Sequence, residues 1–239
     1  MIYGLACLIN HWHFQIEHFS QNYQVIAFDI RGHHKSAIPT NPSNLTLDAI
    51  SKDVSALLRE LGIRKAHFFG HSLGVQALLK AYEQFPEHFL SMVLVNGFAR
   101  NPIQGMFGTN IMENLFYFFK SRFESHPELM STIWLNMIDN PVAIFGAGAV
   151  GGFNMRLAPV RDMEIYARGV SRVPMSVFIS FFEDMMAFRG DQVAPTVSIP
   201  SLIIGGDRDG VTPPRFQKDL HEQIPQSEYL QVPYGSHCT

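Results

Sequence analysis

Over the first two-fifths of the chain, short apolar runs alternate with longer amphipathic stretches. Gln24–Asp29 (QVIAFD) is nearly continuous in apolar residues and reads as a buried strand. From Thr46 to Leu61, apolar residues fall at Leu47, Ile50, Val54, Leu57, Leu58 and Leu61. That spacing predicts a helix, with Thr46 as its N-cap and Gly62 as its stop. Lys65–Gly70 (KAHFFG) reads as a second strand, Leu73–Phe85 as a helix ended by Pro86, and Ser91–Gly97 (SMVLVNG) as a third strand. Buried strands alternating with helices predict an α/β fold with a mostly parallel sheet flanked by helices.

The rhythm stops near Asn101 and returns near Ile199. Ser201–Asp207 (SLIIGGD) and Ser227–Pro233 (SEYLQVP) read as strands. Thr212–Pro213 between them predicts a helix start with a capping Thr and Pro at the first helical position. Residues 101–190 have helical periodicity and no comparable strand. They hold nine of the 11 Met and 11 of the 20 Phe, more apolar bulk than a linker needs. The expected organisation is therefore an α/β core of residues 1–100 and 191–239, with residues 101–190 as a helical cap insertion.

Composition narrows the class. The 239 residues are 46% hydrophobic and 16% charged with net charge −3, which excludes a disordered chain. Lys and Arg form no basic stripe, so no nucleic-acid partner is expected. Two cysteines exclude a disulfide scaffold. No apolar run reaches the roughly 18 residues that span a bilayer. Met1 opens no signal-peptide pattern, which makes a cytoplasmic location the default expectation. The pattern leaves oligomeric state open.

The chemistry centres on Gly70-His71-Ser72-Leu73-Gly74, a G-x-S-x-G run directly after a strand and directly before a helix. This is the context of a nucleophile elbow, in which Gly70 and Gly74 let strand and helix approach while Ser72 is pushed out at the top of the sheet. A serine hydroxyl needs a base, and the base needs an orienting acid. His237 follows the last strand. Asp207 and Asp209 both follow the strand at 201–206. Asp209, further into the loop, is the better acid, and Asp207 the better strand end. The helix beginning at Leu73 aims its free N–H groups at the site, favouring a developing oxyanion.

With these elements the sequence resembles the α/β-hydrolase superfamily, and within it carboxylesterase and lipase-like serine hydrolases with a helical cap. The resemblance spans nearly the whole chain and is weakest at 101–190. It includes Asp29-Ile30-Arg31-Gly32-His33-His34-Lys35-Ser36, similar to the family's D-x-R-G-x-G-x-S stretch, and Gly206-Asp207-Arg208-Asp209, similar to its G-x-x-D acid motif. Tyr3-Gly4-Leu5 stands in place of the family's H-G-x oxyanion motif, with Trp12 at the position of a frequent Trp. The resemblance implies the triad Ser72, Asp209 and His237, with the backbone N–H groups of Leu5 and Leu73 as the oxyanion hole. Two departures are Tyr3 for the usual His, and His34 for the second Gly of R-G-x-G.

The expected function is hydrolysis of a small-molecule carboxylic ester with an apolar acyl or alcohol part, through an acyl-enzyme, with no cofactor and no metal. Ser at position 72 disfavours the Asp-nucleophile chemistry of haloalkane dehalogenases and epoxide hydrolases. Two alternatives remain. One is another reaction on the same triad: C–C bond hydrolysis, perhydrolysis, or thioester, lactone or amide cleavage. The other is a non-catalytic ligand-binding, receptor-like member. His11, His13 and His18 read as a solvated helix face rather than a metal site, His71 as a residue that packs or bonds locally rather than a base, and Cys7 and Cys238 as ordinary thiols brought near one site. The resemblance also implies two strands before residue 1 and a closing helix after residue 239. The sequence is therefore expected to be a fragment, and the cytoplasmic default lapses if its N-terminus is not in view.

Overall fold

The computed structural model describes residues 1–109, 111–138, 140–149 and 151–238. Among these residues four parallel strands form one sheet in the order β1 (Ala66–His71), β2 (Phe89–Val95), β3 (Ser201–Gly206) and β4 (Ser227–Val232). One row across it runs Phe69, Val93, Leu202 and Glu228. Parallel neighbours need crossover connections, and helices supply them.

Two helices precede β1: α1 (His13–Phe19) and α2 (Leu47–Glu60). Thr46 caps α2 as expected, its Oγ1 accepting the Ala49 N–H at 3.1 Å, and Gly62 leaves the helix at φ +68°. The central helix is α3 (Leu73–Gln84), which joins β1 to β2. Its residues Val75, Ala77, Leu78 and Leu79 are fully buried, and each such leucine contributes about 1.5–3 kcal/mol of burial.

Between β2 and β3 lie α4 (Ile111–Ser125), α5 (Pro127–Ile138), α6 (Pro141–Ala149), α7 (Val160–Ser171), α8 (Met175–Ala187) and the single turn α9 (Gly190–Val193). Helix α8 is apolar on two sides. Val177, Phe181 and Met185 repeat at four-residue spacing and join the main core, while Met175, Ile179 and Phe182 belong to two smaller clusters under the neighbouring helices. Asp184 on α8 accepts the Leu47 N–H at 2.7 Å, tying this helix to the start of α2. None of the helices among the described residues is long and apolar enough to cross a membrane.

Two sequence expectations need correction. Gln24–Asp29 is extended chain outside any strand. Its neighbour is residues 1–3, where Met1 N donates to Ile26 O at 2.8 Å and Ile2 makes a single parallel bridge to Gly70. Apart from that Met1–Ile26 hydrogen bond, no backbone-to-backbone bond reaches this run among the described residues, so it forms no ladder. The second correction concerns Thr212. The last helix, α10, runs Pro214–Gln223 with Pro213 as its N-cap residue and no side-chain cap. The Thr212 hydroxyl is held elsewhere.

Candidate active site

Ser72 stands at the junction of β1 and α3 with φ 53° and ψ −116°, a backbone conformation that L residues rarely adopt. The turn closes because Ser72 N donates to Val95 O at 3.1 Å on the neighbouring strand. A Cβ on Gly70 would come within 2.6 Å of the Gly74 carbonyl oxygen, and one on Gly74 would strike the Ile2 carbonyl. Both positions therefore require glycine, and residues 1–3 form part of the elbow's wall.

The loop after β3 delivers Asp209 and the loop after β4 delivers His237. Both are buried, at 3% and 6% exposure, and His237 Nδ1 lies 2.9 Å from Asp209 Oδ2. Asp207, by contrast, is exposed. Asp209 Oδ1 accepts the backbone N–H groups of Val211 and Thr212 at 2.9 and 2.8 Å. Thr212 Oγ1 sits 2.7 Å from Asp209 Oδ2 and 3.1 Å from His237 Nδ1. The carboxylate is thus fully partnered without water, as a buried charge requires.

Asn96, at the end of β2 with φ 45°, fixes this loop pair from beneath. Its Nδ2 donates to Ser236 O and His237 O at 3.0 and 2.7 Å, and its Oδ1 accepts the Gly206 N–H at 2.9 Å. His71 is fully buried and contributes a second grip, with Nε2 donating to His237 O at 2.8 Å. A carbonyl only accepts, so Nε2 carries the proton. Burial holds the His71 ring well below the ordinary histidine range, so it stays neutral.

The turn Gly4–Cys7 lies against the elbow. Cys7 N donates to Gly4 O at 3.0 Å, and Ala6 N, at φ 59°, donates to His33 Nε2 at 3.0 Å. His34 Nε2 donates to Cys7 O at 2.7 Å. His34 itself has φ 44°, which is why a glycine suits that position and why its replacement is tolerated only with a stabilising contact. Tyr3 is fully buried, donates to Asp29 Oδ1 at 3.1 Å and accepts the Ile30 N–H at 3.1 Å. Among the described residues, no acceptor serves the backbone N–H groups of Leu5 and Leu73. Leu73 directly follows Ser72 in the chain, and Leu5 lines the same cavity as Ser72.

Ser72, His237 and Leu5 line a cavity of about 450 Å³ whose other walls are mostly apolar, among them Met112, Phe116, Phe178 and Phe182 from the helices between β2 and β3.

The sequence reading missed two groups here: Thr212, which it read as a helix cap, and Asn96, to which it gave no role; His71, expected to pack or bond locally, does bond, to the backbone of His237. None carries a motif of its own. His11 also departs from the reading of a solvated face. It precedes α1, in the turn Ile9–Trp12, and its ring lies on His71 with centroids 4.2 Å apart. Burial lowers it to about 4. His18 is exposed and His13 half-buried.

Known proteins place this arrangement in context. A Caenorhabditis elegans protein, epoxide hydrolase 1, is 24% identical over 235 residues, covering 95% of this chain. The chain spans 56% of the length of that relative. RutD of Stutzerimonas stutzeri, designated a carbamate hydrolase, is 25% identical over 240 residues, covering 99% of the chain and 83% of its own length. Among solved structures, an esterase from Exiguobacterium antarcticum superposes with a TM-score of 0.77 at 15% identity, covering 98% of this chain and 84% of its own. At these identities the likeness is one of fold. The model of the alpha/beta hydrolase fold family matches residues 1–239, and the chain belongs to that family.

Proposed function

We propose that the chain is a serine hydrolase that cleaves carboxylic esters carrying an apolar acyl or alcohol part. The observation that carries this reading is the buried Asp209–His237 pair, 2.9 Å apart, whose histidine lines the same apolar cavity as Ser72. In this reading the helices of residues 101–190 serve as the cap and supply most of that wall.

His237 takes the Ser72 proton as Oγ attacks the ester carbonyl, while Asp209 holds the imidazole with its proton on Nδ1. The free N–H groups of Leu5 and Leu73 receive the oxyanion, each such donor lowering the barrier by about 3 kcal/mol. His237 then protonates the leaving alcohol. Water, deprotonated by the same histidine, releases the acid from Ser72. Every step uses groups of this chain.

Two of the relatives described above carry epoxide and carbamate hydrolase names. The serine at position 72 favours acyl transfer over the Asp-nucleophile chemistry of epoxide opening. Turnover of p-nitrophenyl esters tests the reading. Wild-type protein is expected to hydrolyse them, and Ser72→Ala to lose several orders of magnitude while keeping its fold. An unchanged rate in Ser72→Ala would overturn the reading. A panel of ester, thioester, lactone, amide and carbamate substrates then separates reactions that share the triad, since fold does not.

A further inference from the structure

At the turn Gly4–Cys7 the side chains of Cys7, His11 and His71 converge. One donor atom from each lies within 4.8 Å of the other two. We propose that these three side chains form a site for a soft or borderline divalent metal ion such as Zn²⁺, held by one thiolate and two imidazoles.

The first argument is the state of His71. Its Nε2–H is committed to the His237 carbonyl, so its Nδ1 is the bare lone pair. That nitrogen is buried and has no hydrogen-bond partner in the fold. Buried polar atoms are almost always partnered, so an orphan lone pair in a fully buried ring needs an explanation. A backbone carbonyl that takes the other N–H of a histidine is also the usual support of a metal-binding imidazole, because it fixes the tautomer and aims the free nitrogen.

The second argument is space. A Cβ on Gly4 would stand 3.0 Å from His71 Nδ1 and 3.2 Å from Cys7 Sγ. With no side chain at Gly4, His71 Nδ1 and Cys7 Sγ both close in on the same spot. Metal bonds to nitrogen and sulfur of about 2.0–2.3 Å draw ligand atoms closer than 4.8 Å, which calls for a shift of about an ångström. His11 is only partly buried and lies in a short turn, so it is the ligand free to make that shift.

The third argument is chemistry and access. Cys7 carries its proton as a thiol, donating to Tyr166 Oη at 3.2 Å. Binding therefore replaces the thiol proton: the S–H bond breaks, the S–metal bond forms, and the proton passes to solvent. An open pocket of about 310 Å³ is lined by His11, Tyr166 and Cys238, giving an ion and its fourth ligand, water, a route from solvent. Thiolate with imidazole selects Zn²⁺ and its neighbours over Mg²⁺ or Ca²⁺.

Titration of the purified chain with Co²⁺ tests the site. The expected result is one ion per chain with a near-ultraviolet sulfur-to-cobalt charge-transfer band, displaced by Zn²⁺. Cys7→Ser is expected to abolish the band, and His11→Gln to weaken Co²⁺ affinity at least tenfold while ester turnover stays intact. If Cys7→Ser fails to fold by circular dichroism, His11→Gln decides alone. Absence of a charge-transfer band in the wild-type protein, a band that persists in folded Cys7→Ser, or unchanged affinity in His11→Gln would each overturn the assignment.

Discussion

Thr212 Oγ1 lies 2.7 Å from Asp209 Oδ2, the same carboxylate oxygen that stands 2.9 Å from His237 Nδ1. Gln217 holds the threonine in turn, its Nε2 donating to Thr212 O at 3.0 Å. The hydroxyl therefore fixes the rotation of the carboxylate that, in the proposed mechanism, orients His237. Thr212→Val keeps the shape and removes the hydrogen bond. A hydrogen bond to a charged group contributes about 1.5–3 kcal/mol, so kcat is expected to fall about ten- to hundredfold with KM little changed. Thr212→Ser is expected to recover most of the rate. Steady-state kinetics on a p-nitrophenyl ester would read this; a rise in KM at unchanged kcat would contradict the positioning role.

The elbow glycines give a sharper steric test. Gly70→Ala places a methyl 2.6 Å from the Gly74 carbonyl oxygen, which is backbone and has little room to yield. Overpacking of this kind costs about 1–3 kcal/mol of stability, and here it displaces Ser72 as well. A lower melting temperature together with loss of nearly all turnover is expected. Gly62→Ala serves as the contrast. Nothing lies within 4 Å of its added methyl, and at φ +68° it pays only local strain, so activity is expected to persist.

Much of this architecture is legible in the sequence, for identifiable reasons. The G-x-S-x-G run was readable because a strand ended at Gly70 and a helix began at Leu73, and the observed elements keep those bounds within a residue. The preference for Asp209 over Asp207 rested on loop position, and burial separates the two in the same sense. Gln24–Asp29 misled because an apolar run records burial, whereas a strand also needs a ladder of backbone hydrogen bonds to a neighbour. Thr212 misled because Thr-Pro-Pro has the chemistry of a helix start, and nothing local reveals that its hydroxyl is claimed by a carboxylate three residues earlier. His11 misled because it was counted on a helix face, although the helix begins two residues later and leaves its ring to turn inward. Asn96 and His71 grip a backbone carbonyl about 140 and 166 residues away, contacts that a single sequence does not encode.

The cavity wall predicts substrate preference. Met112 and Phe116 line the cavity from α4, facing Phe178 and Phe182 of α8. Met112→Trp fills part of the space. Each methylene kept out of an apolar wall forfeits about 0.8 kcal/mol, close to a factor of four in kcat/KM. The ratio of rates on p-nitrophenyl octanoate and acetate is expected to fall about tenfold or more in the variant. A ratio that stays the same would place the acyl chain elsewhere.

The link between α8 and α2 carries a pH dependence. Burial holds the Asp184 carboxyl above its ordinary value of 3.8, with the Leu47 N–H opposing in part. A carboxyl whose folded value is raised favours folding in its protonated form. Its contribution is complete below 3.8 and is lost as pH rises through the raised value. Asp184→Asn keeps an oxygen for the Leu47 N–H and removes the titration. The melting temperature of the variant relative to wild type is therefore expected to rise between about pH 4 and about pH 7. A relative fall over that interval would show that the charged form is the stabilising one.

The central claim is that Ser72 is a nucleophile activated by the buried pair beside it. Labelling with a fluorophosphonate, read by intact mass and by peptide mapping, tests it most directly. One adduct per chain on Ser72 is predicted, formed far more slowly in His237→Ala. A chain that stays unlabelled, or an adduct on any other residue, would contradict the account.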